Sequence, residues 1–162
     1  MNARLRAAVP GDTLLVGAGT VHAIGPGCFV YEIEQPSDLT FRISDWGRPP
    51  TAGRRLHTAE ALRAARIDAY AEVAGTGWSL DGGALRVREF ALETASLPGT
   101  MDRRPEGRSV EVVTAIGARA DVVGNGWRES LRPLESLVVP AAVTAYQVTG
   151  TDPGHVLVGS IP

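Results

Sequence analysis

Short strand-like segments separated by turns of Gly and Pro constrain the fold of this chain most strongly, above all between Gly11 and Arg48. In residues 28–34 the side chains alternate cleanly, with Phe29, Tyr31 and Ile33 on one face and the intervening residues on the other. Several short strands at this spacing are typical of a β-sandwich or barrel. The predicted strands of this region are residues 13–16, 21–24, 28–34 and 39–43.

One helix interrupts the β pattern. Thr58 is a candidate N-cap for the apolar periodicity that follows, which predicts a helix over residues 58–67. The flanking stretch 68–83 and the polar stretch 98–107 are predicted as loops. The remaining apolar runs predict further strands over residues 85–92, 109–116, 118–123, 128–131, 136–139, 145–148 and 155–160.

Composition excludes several classes of protein. A formal net charge of -2 argues against a nucleic-acid partner, because phosphate binding requires a basic surface. No apolar run approaches the ~18 residues of a membrane span, and no signal-peptide pattern opens the chain, so we expect a cytoplasmic protein without a membrane partner. Cys28 is the single cysteine, so no disulfide forms within the chain.

Two segments repeat one pattern: Pro, an acid, Ser or Thr, three apolar residues, a turn of small residues and another strand. They are residues 10–24 and 133–147, with Asp12 aligned to Glu135 and His22 aligned to Ala145. The repeat predicts two copies of one β unit, and only the first copy keeps its histidine.

The first copy resembles the second cupin motif, G-x5-P-x-G-x2-H-x3-N, at Gly11, Gly19 and His22; Gly17 and Pro26 depart from its Pro and Asn. The order GTVHAIGPG, YEIEQPSDLTFRISDWGR, RRLHTAEAL and LVVPAAVTAYQVTG then resembles the C-terminal portion of type I phosphomannose isomerases. The resemblance covers nearly the whole chain.

That resemblance implies an all-β cupin or jelly-roll fold, with a partial first cupin half-barrel and a second cupin-like β-sandwich. The implied division is residues 1–50 as the C-terminal half of a metal-type cupin, 51–83 as a linker with the helix, and 84–162 as a second, metal-free cupin. The implied activity is the aldose–ketose isomerisation of mannose 6-phosphate and fructose 6-phosphate with a zinc ion.

The resemblance also implies roles for four residues. His22 falls on the histidine that the second cupin motif donates to zinc, and Glu32 on an acid near the sugar that could transfer a proton. Arg42 falls on an arginine that assists at the substrate, and Arg48 on a basic residue suited to the sugar phosphate. We expect His22, Glu32 and Arg42 to line one cavity.

Structural interpretations stand beside these roles. Glu32 could belong to a solvated strand face, and Arg42 could pair with Glu32 or Glu34 across strands. The other two histidines are interpreted as a local packing or capping residue, His57, and a surface residue, His155.

Zinc raises a question of ligand number, since a catalytic site needs about three protein ligands. The Gln, His and Glu that the family adds to the motif histidine lie before the position of Gly11, and no Gln-x-His pair precedes it here. Three functions therefore stay open. They are a phosphomannose isomerase or part of one, a non-catalytic cupin that binds a sugar phosphate or completes a partner protein, and a half-barrel that forms a homodimer or docks on a partner chain.

Overall fold

The computed structural model describes residues 5–37, 39–49, 51, 53–80, 83–105, 107 and 109–162. Several predicted turn and linker positions lie outside these residues. They are Asp38, Pro50, Ala52, Asp81, Gly82 and Glu106, together with Met1–Arg4 of the predicted 1–50 domain.

The described chain is mostly β-structure with a single helix, α1, Thr58–Ala64. The all-β expectation with one short helix is therefore confirmed. The strands are β1 Thr13–Leu15, β2 Glu72–Thr76, β3 Ser79–Leu80, β4 Ala84–Arg86, β5 Ala91–Arg103, β6 Glu111–Ile116, β7 Ala120–Gly124, β8 Trp127–Leu131, β9 Ser136–Val139 and β10 Tyr146–Ser160.

Two compact units make up the chain. The first contains Met1–Ala8, Leu14–Glu32 and Pro36–Val73, and the second contains Val9–Thr13, Ile33–Gln35 and Ala74–Pro162. The predicted domain boundaries at residues 50 and 83 stay a prediction.

The second unit is an antiparallel β-structure built on β5 and β10. A seven-stranded sheet runs in the order β4-β5-β10-β6-β9, with β7 paired to β10 and to β8. β10 pairs with β6 through residues 155–160 and with β7 through residues 146–149, and its register with β5 shifts between Gly150 and Gly154. That irregularity lets one strand serve two partners in succession, as β-bulges do.

Alternating residues of these strands form the main core of the second unit. Val113, Val122, Val148, Val156 and Val158 are fully buried. β-branched residues favour the pleated surface and pack well across it, so this pattern both forms the strands and joins them.

Several predicted element boundaries are wrong. Residues 98–107 were predicted as a loop, but β5 continues to Arg103. Pro98, which has no N–H to donate, stands opposite the irregularity of β10, where Leu97 pairs with Gly154 and Gly99 with Gly150. The predicted loop 68–83 contains the β2–β3 hairpin, whose turn residues Gly77 and Trp78 both have positive φ, as tight hairpins require.

The first unit departs most from the predicted strands. β1 is confirmed, but residues 21–24, 28–34 and 39–43 have no strand in the structure. Alternation creates a strand only when another backbone pairs with it, and local sequence does not show whether such a backbone is present. The helix is also shorter than predicted, and its N-cap is His57 rather than Thr58.

Candidate functional site

Asp45 is the centre of an arginine-rich site in the first unit. Its carboxylate is buried and accepts two hydrogen bonds from Arg54, from Nε to Oδ2 at 3.0 Å and from Nη2 to Oδ1 at 2.6 Å. Arg48 adds an ion pair from Nη2 to Oδ1 at 3.2 Å and donates from Nε to the Asp45 carbonyl at 3.2 Å. A planar guanidinium suits such two-pronged contacts.

The charge of Arg42 also acts on Asp45. The hydrogen bonds from Arg54 hold the pKa of Asp45 below its usual value against the opposing effect of burial, and the charges of Arg48, Arg54 and Arg42 lower it further. We call Arg42, Asp45, Arg48 and Arg54 the Asp45 cluster. Two guanidinium groups contact the one carboxylate and a third acts on it through its charge, so the cluster carries excess positive charge.

The backbone of Arg42 is held in place by His57. The Arg42 N–H donates to Nδ1 of His57 at 3.1 Å, and the His57 N–H donates to the Arg42 carbonyl at 2.8 Å. The rings of Phe41 and His57 lie 6.2 Å apart between centroids. The residue before α1 therefore serves local packing, as expected for His57, and fixes a predicted substrate residue.

His22 is exposed, and its Nδ1 lies 2.9 Å from the Thr20 carbonyl oxygen. Because a carbonyl oxygen only accepts, Nδ1 must carry the proton and donate it. Nε2 then presents its lone pair to the surroundings, which is the tautomer that metal-binding histidines commonly adopt. The local geometry therefore suits a single metal ligand at His22.

A complete zinc site does not fit the described residues. No group of three or more His, Cys, Asp or Glu side chains in the described ranges is arranged to hold a metal ion. A zinc ion needs about three such ligands, so His22 alone cannot hold it. The assignments of zinc and of His22 as its ligand stay predictions.

The structure brings together two of the four predicted site residues. Arg42 and Arg48 both act on Asp45, whereas Glu32 is exposed, with no hydrogen bond or ion pair to another described residue. A shallow apolar groove in this unit is lined by Ile24, Gly25, Pro26 and Trp46, and so by none of the four. The roles of His22, Glu32, Arg42 and Arg48 stay predictions.

Arg54 is the residue that sequence reasoning missed. It lies in a stretch rich in Pro, Gly and Arg, which was interpreted as a linker. The available signal was Asp45 itself, an acid in a Ser-Asp-Trp-Gly turn with Arg on both sides along the chain. The sequence does not show that Asp45 is buried, because burial depends on tertiary packing, and it therefore does not identify Arg54 as the partner of Asp45.

The second unit contains a buried polar network that the sequence analysis also missed. Arg103 hydrogen-bonds to both oxygens of Glu111 and, through Nη1, to Oε2 of Glu93 at 2.8 Å. The Tyr146 hydroxyl donates to Oε2 of Glu111 at 2.6 Å. Burial favours the neutral phenol and, with the neighbouring Glu111 carboxylate, raises the pKa of Tyr146. The network satisfies its own charges.

His155 was interpreted as a surface residue, and that interpretation is wrong. Its ring stacks on Trp78 with centroids 4.1 Å apart and planes 10° apart. Its Nδ1 is buried without a hydrogen-bond partner, and burial lowers the pKa of the imidazole. His155 is thus a packing residue held in the neutral form.

Within the described residues, no helix is long and apolar enough to span a membrane. The predicted cytoplasmic location stays a prediction.

The fold places the chain among cupin-type β-proteins. It superposes on the crystal structure of the mannose 6-phosphate isomerase from Bacillus subtilis with a TM-score of 0.57, over 76% of this chain and 40% of that chain, at 19% sequence identity. The expected cupin-type fold is thereby confirmed. No family model matches the sequence.

The chain is also similar in sequence to proteins named mannose-6-phosphate isomerase. The chain is 27% identical over 146 residues to the mannose-6-phosphate isomerase of Streptococcus mutans serotype c, a match that covers 86% of this chain and 46% of that protein. It is 38% identical over 65 residues to the mannose-6-phosphate isomerase ManA of Bacillus subtilis, which covers 39% of this chain and 21% of that protein. The resemblance to the C-terminal portion of type I phosphomannose isomerases is confirmed. The chain spans less than half the length of these relatives.

Proposed function

We propose that the chain belongs to an aldose–ketose isomerase acting on mannose 6-phosphate and fructose 6-phosphate. The observation that carries this proposal is the match of 86% of the chain to a protein named for that activity. The interconversion moves a proton between C1 and C2 of the sugar, which requires a base, an acid and a group that stabilises charge on the sugar oxygens.

The Asp45 cluster supports the phosphate end of the proposal. Arg48 is 57% exposed at its side chain, yet its Nε and Nη2 are fixed on Asp45. Its other N–H groups make no hydrogen bond to a described residue and can donate to a phosphate, for which a guanidinium fork is well suited. In the proposal Arg48 binds the phosphate and Arg42, whose backbone is held by His57, contacts the sugar.

Glu32 is the proposed proton carrier at the sugar carbons. Its side chain is exposed, and a carboxylate that lies within hydrogen-bond reach of the reacting carbon can accept the proton. Zinc stays a proposal that comes from the resemblance, with His22 as its one candidate ligand in this chain.

A coupled assay of mannose 6-phosphate isomerisation tests the proposal, with Arg48→Ala as the diagnostic variant. Loss of one charged hydrogen-bonding group at the phosphate should raise KM by about 10-fold or more. The matched control is Arg128→Ala, since Arg128 is also exposed and also paired with an aspartate, Asp121. Equal effects of the two variants, or no turnover with added zinc, would count against isomerase activity.

The alternative is a non-catalytic cupin that binds a sugar phosphate or completes a partner protein. The missing group of metal ligands in the described chain favours it. It predicts a rise in Tm with millimolar mannose 6-phosphate in the absence of turnover, since a ligand that binds only the folded state stabilises it. An unchanged Tm in wild type would eliminate the form of this alternative that binds a sugar phosphate.

A further inference from the structure

Asp45 is a buried carboxylate of the first unit, with a side chain that is 7% exposed. A buried carboxylate is tolerated only where cations and hydrogen-bond donors compensate its charge. Arg54 and Arg48 both do so, but they contact Asp45 in different ways. The difference between the two contacts indicates different roles for the two arginines.

Arg54 makes the stronger of the two contacts. One edge of its guanidinium donates to both carboxylate oxygens, from Nε to Oδ2 at 3.0 Å and from Nη2 to Oδ1 at 2.6 Å. A fork of this kind fixes the orientation of the carboxylate as well as compensating its charge. The hydrogen bonds from Arg54 are also the main reason that the pKa of Asp45 lies below its usual value. Arg54 is therefore the principal counterion of Asp45.

Arg48 makes a weaker contact with the same carboxylate. Only Nη2 reaches it, at 3.2 Å from Oδ1, while Nε and the backbone N–H of Arg48 both donate to the Asp45 carbonyl oxygen, at 3.2 and 3.0 Å. Its side chain is also the more exposed, at 57% against 44% for Arg54. Arg48 is thus held in one orientation, but Asp45 does not depend on its charge while Arg54 is in place.

We propose that Arg54 is a positioning residue, which acts through Asp45 to keep Arg48 free to bind the phosphate of a sugar phosphate. The inference rests on the proposed function, in which Arg48 binds that phosphate. Without the charge of Arg54, the buried carboxylate would draw the Arg48 guanidinium into a full ion pair. Arg48 would then bind a phosphate less well, because its charge and its N–H groups would be engaged by Asp45.

The competing explanation is that Arg54 itself contacts the phosphate, or attracts it from a distance by its charge. The two explanations differ when the charge of Asp45 is removed. A residue that acts only through the Asp45 carboxylate has no effect once that carboxylate is an amide, whereas a direct contact or a long-range attraction acts in either case. A double-mutant cycle between Arg54 and Asp45 therefore separates them.

Isothermal titration calorimetry of the whole chain with mannose 6-phosphate provides the measurement. Arg54→Gln keeps an N–H donor for Asp45 but removes the charge, so it should raise Kd by about 10-fold. The same substitution in an Asp45→Asn background should change Kd by less than about 2-fold. Arg54→Lys restores the positive charge and should keep Kd within about 3-fold of wild type.

Arg132→Gln is the matched control. Arg132 also contacts a carboxylate through Nε and Nη2, that of Glu135 in the second unit, at 2.8 and 2.5 Å from Oε1. The control variant should leave Kd unchanged. NMR of the ligand-free chain adds a measurement that does not depend on binding, in which the Arg48 Nε–H resonance should shift in Arg54→Gln and stay unshifted in Arg132→Gln.

An equal rise in Kd from Arg54→Gln in the wild-type and Asp45→Asn backgrounds would overturn the positioning role and assign Arg54 a direct or long-range one. Tight binding by wild type with Kd and the Arg48 resonance unchanged in Arg54→Gln would also overturn it, and the proposed function would stand. A wild-type chain that binds no mannose 6-phosphate would instead overturn the proposed function, and the inference with it.

Discussion

At the scale of single residues, neighbouring groups give side chains properties that residue type alone does not predict. Asp45 shows this best. An aspartate in a turn is ordinarily solvated, but here burial and the contacts of Arg48 and Arg54 hold its carboxylate ionised and in one orientation. The fixed carboxylate in turn fixes two guanidinium groups, and this order supports the proposed phosphate site.

His155 provides a pH prediction at the same scale. Burial against Trp78 lowers its pKa in the folded state, whereas the unfolded chain has a value near 6.5. Below pH 6.5 the unfolded chain binds a proton that the folded chain resists, so the free energy of unfolding should fall as the pH falls from 6.5 towards the folded pKa. Above pH 6.5 this contribution should be constant.

Urea unfolding between pH 7.5 and 5 measures the effect. His155→Phe keeps a ring against Trp78 but removes the titration, so its free energy of unfolding should depend less on pH than that of wild type. If His155→Phe and wild type lose stability in parallel over this range, the imidazole is not the group responsible.

At the scale of elements, the strands of the second unit place charged groups inside the β-structure. Arg103 stands opposite Tyr146 in the β5–β10 ladder, so the two side chains share a face with buried neighbours. Glu111 starts β6 on the same face as Val113. The network is compatible with burial because every charge is paired, as buried ions require.

Glu111→Gln tests how tightly this network is coupled. The substitution leaves the Arg103 guanidinium with less compensating charge, and breaking a buried pair costs about 3–5 kcal/mol of unfolding free energy. Chemical denaturation provides the measurement. Glu135→Gln is the matched control, since the Arg132–Glu135 pair is exposed and its loss should lower the free energy of unfolding much less.

The double variant Glu111→Gln, Arg103→Met shows whether the loss of stability comes from an unpaired Arg103 cation or from independent contributions of the two residues. It should be less destabilised than Glu111→Gln alone, because it removes the stranded cation as well. Additive losses in the double variant would mean that the two residues contribute independently.

The sequence predicted elements well where their signals are local. β9 was predicted at its observed bounds, 136–139, since an apolar run after Pro133 and before Pro140 marks both of its ends. β5 was cut short because Pro98 is ordinarily a strand breaker, and only the pairing with β10 shows where a proline can be accommodated. The strand predicted over residues 28–34 is absent, because the side chains alternate in the sequence but no described backbone pairs with this segment.

The candidate site was predicted in part for similar reasons. The resemblance named Arg42 and Arg48, whose charges both lower the pKa of Asp45, while their roles stay predictions. It could not select Arg54 or the burial of Asp45, because both depend on how the stretch after residue 48 folds back. The predicted common cavity of His22, Glu32 and Arg42 also depends on long-range packing, and it stays a prediction.

At the scale of the whole molecule, the two units differ in how they are stabilised. The second unit has a dense valine core and a self-satisfied polar network, so its described residues account for its own stability. The first unit carries the predicted site but little buried apolar surface.

The measurement that most directly tests the sugar-phosphate proposal is an NMR titration of the chain with mannose 6-phosphate, observed at the arginine Nε–H resonances. We expect saturable shifts at Arg48 and Arg42, and mannose alone should leave Arg48 unshifted, because the phosphate is the proposed partner of the Arg48 guanidinium. Shifts confined to arginines of the second unit, such as Arg119 and Arg128, or no shifts at millimolar ligand, would contradict the account.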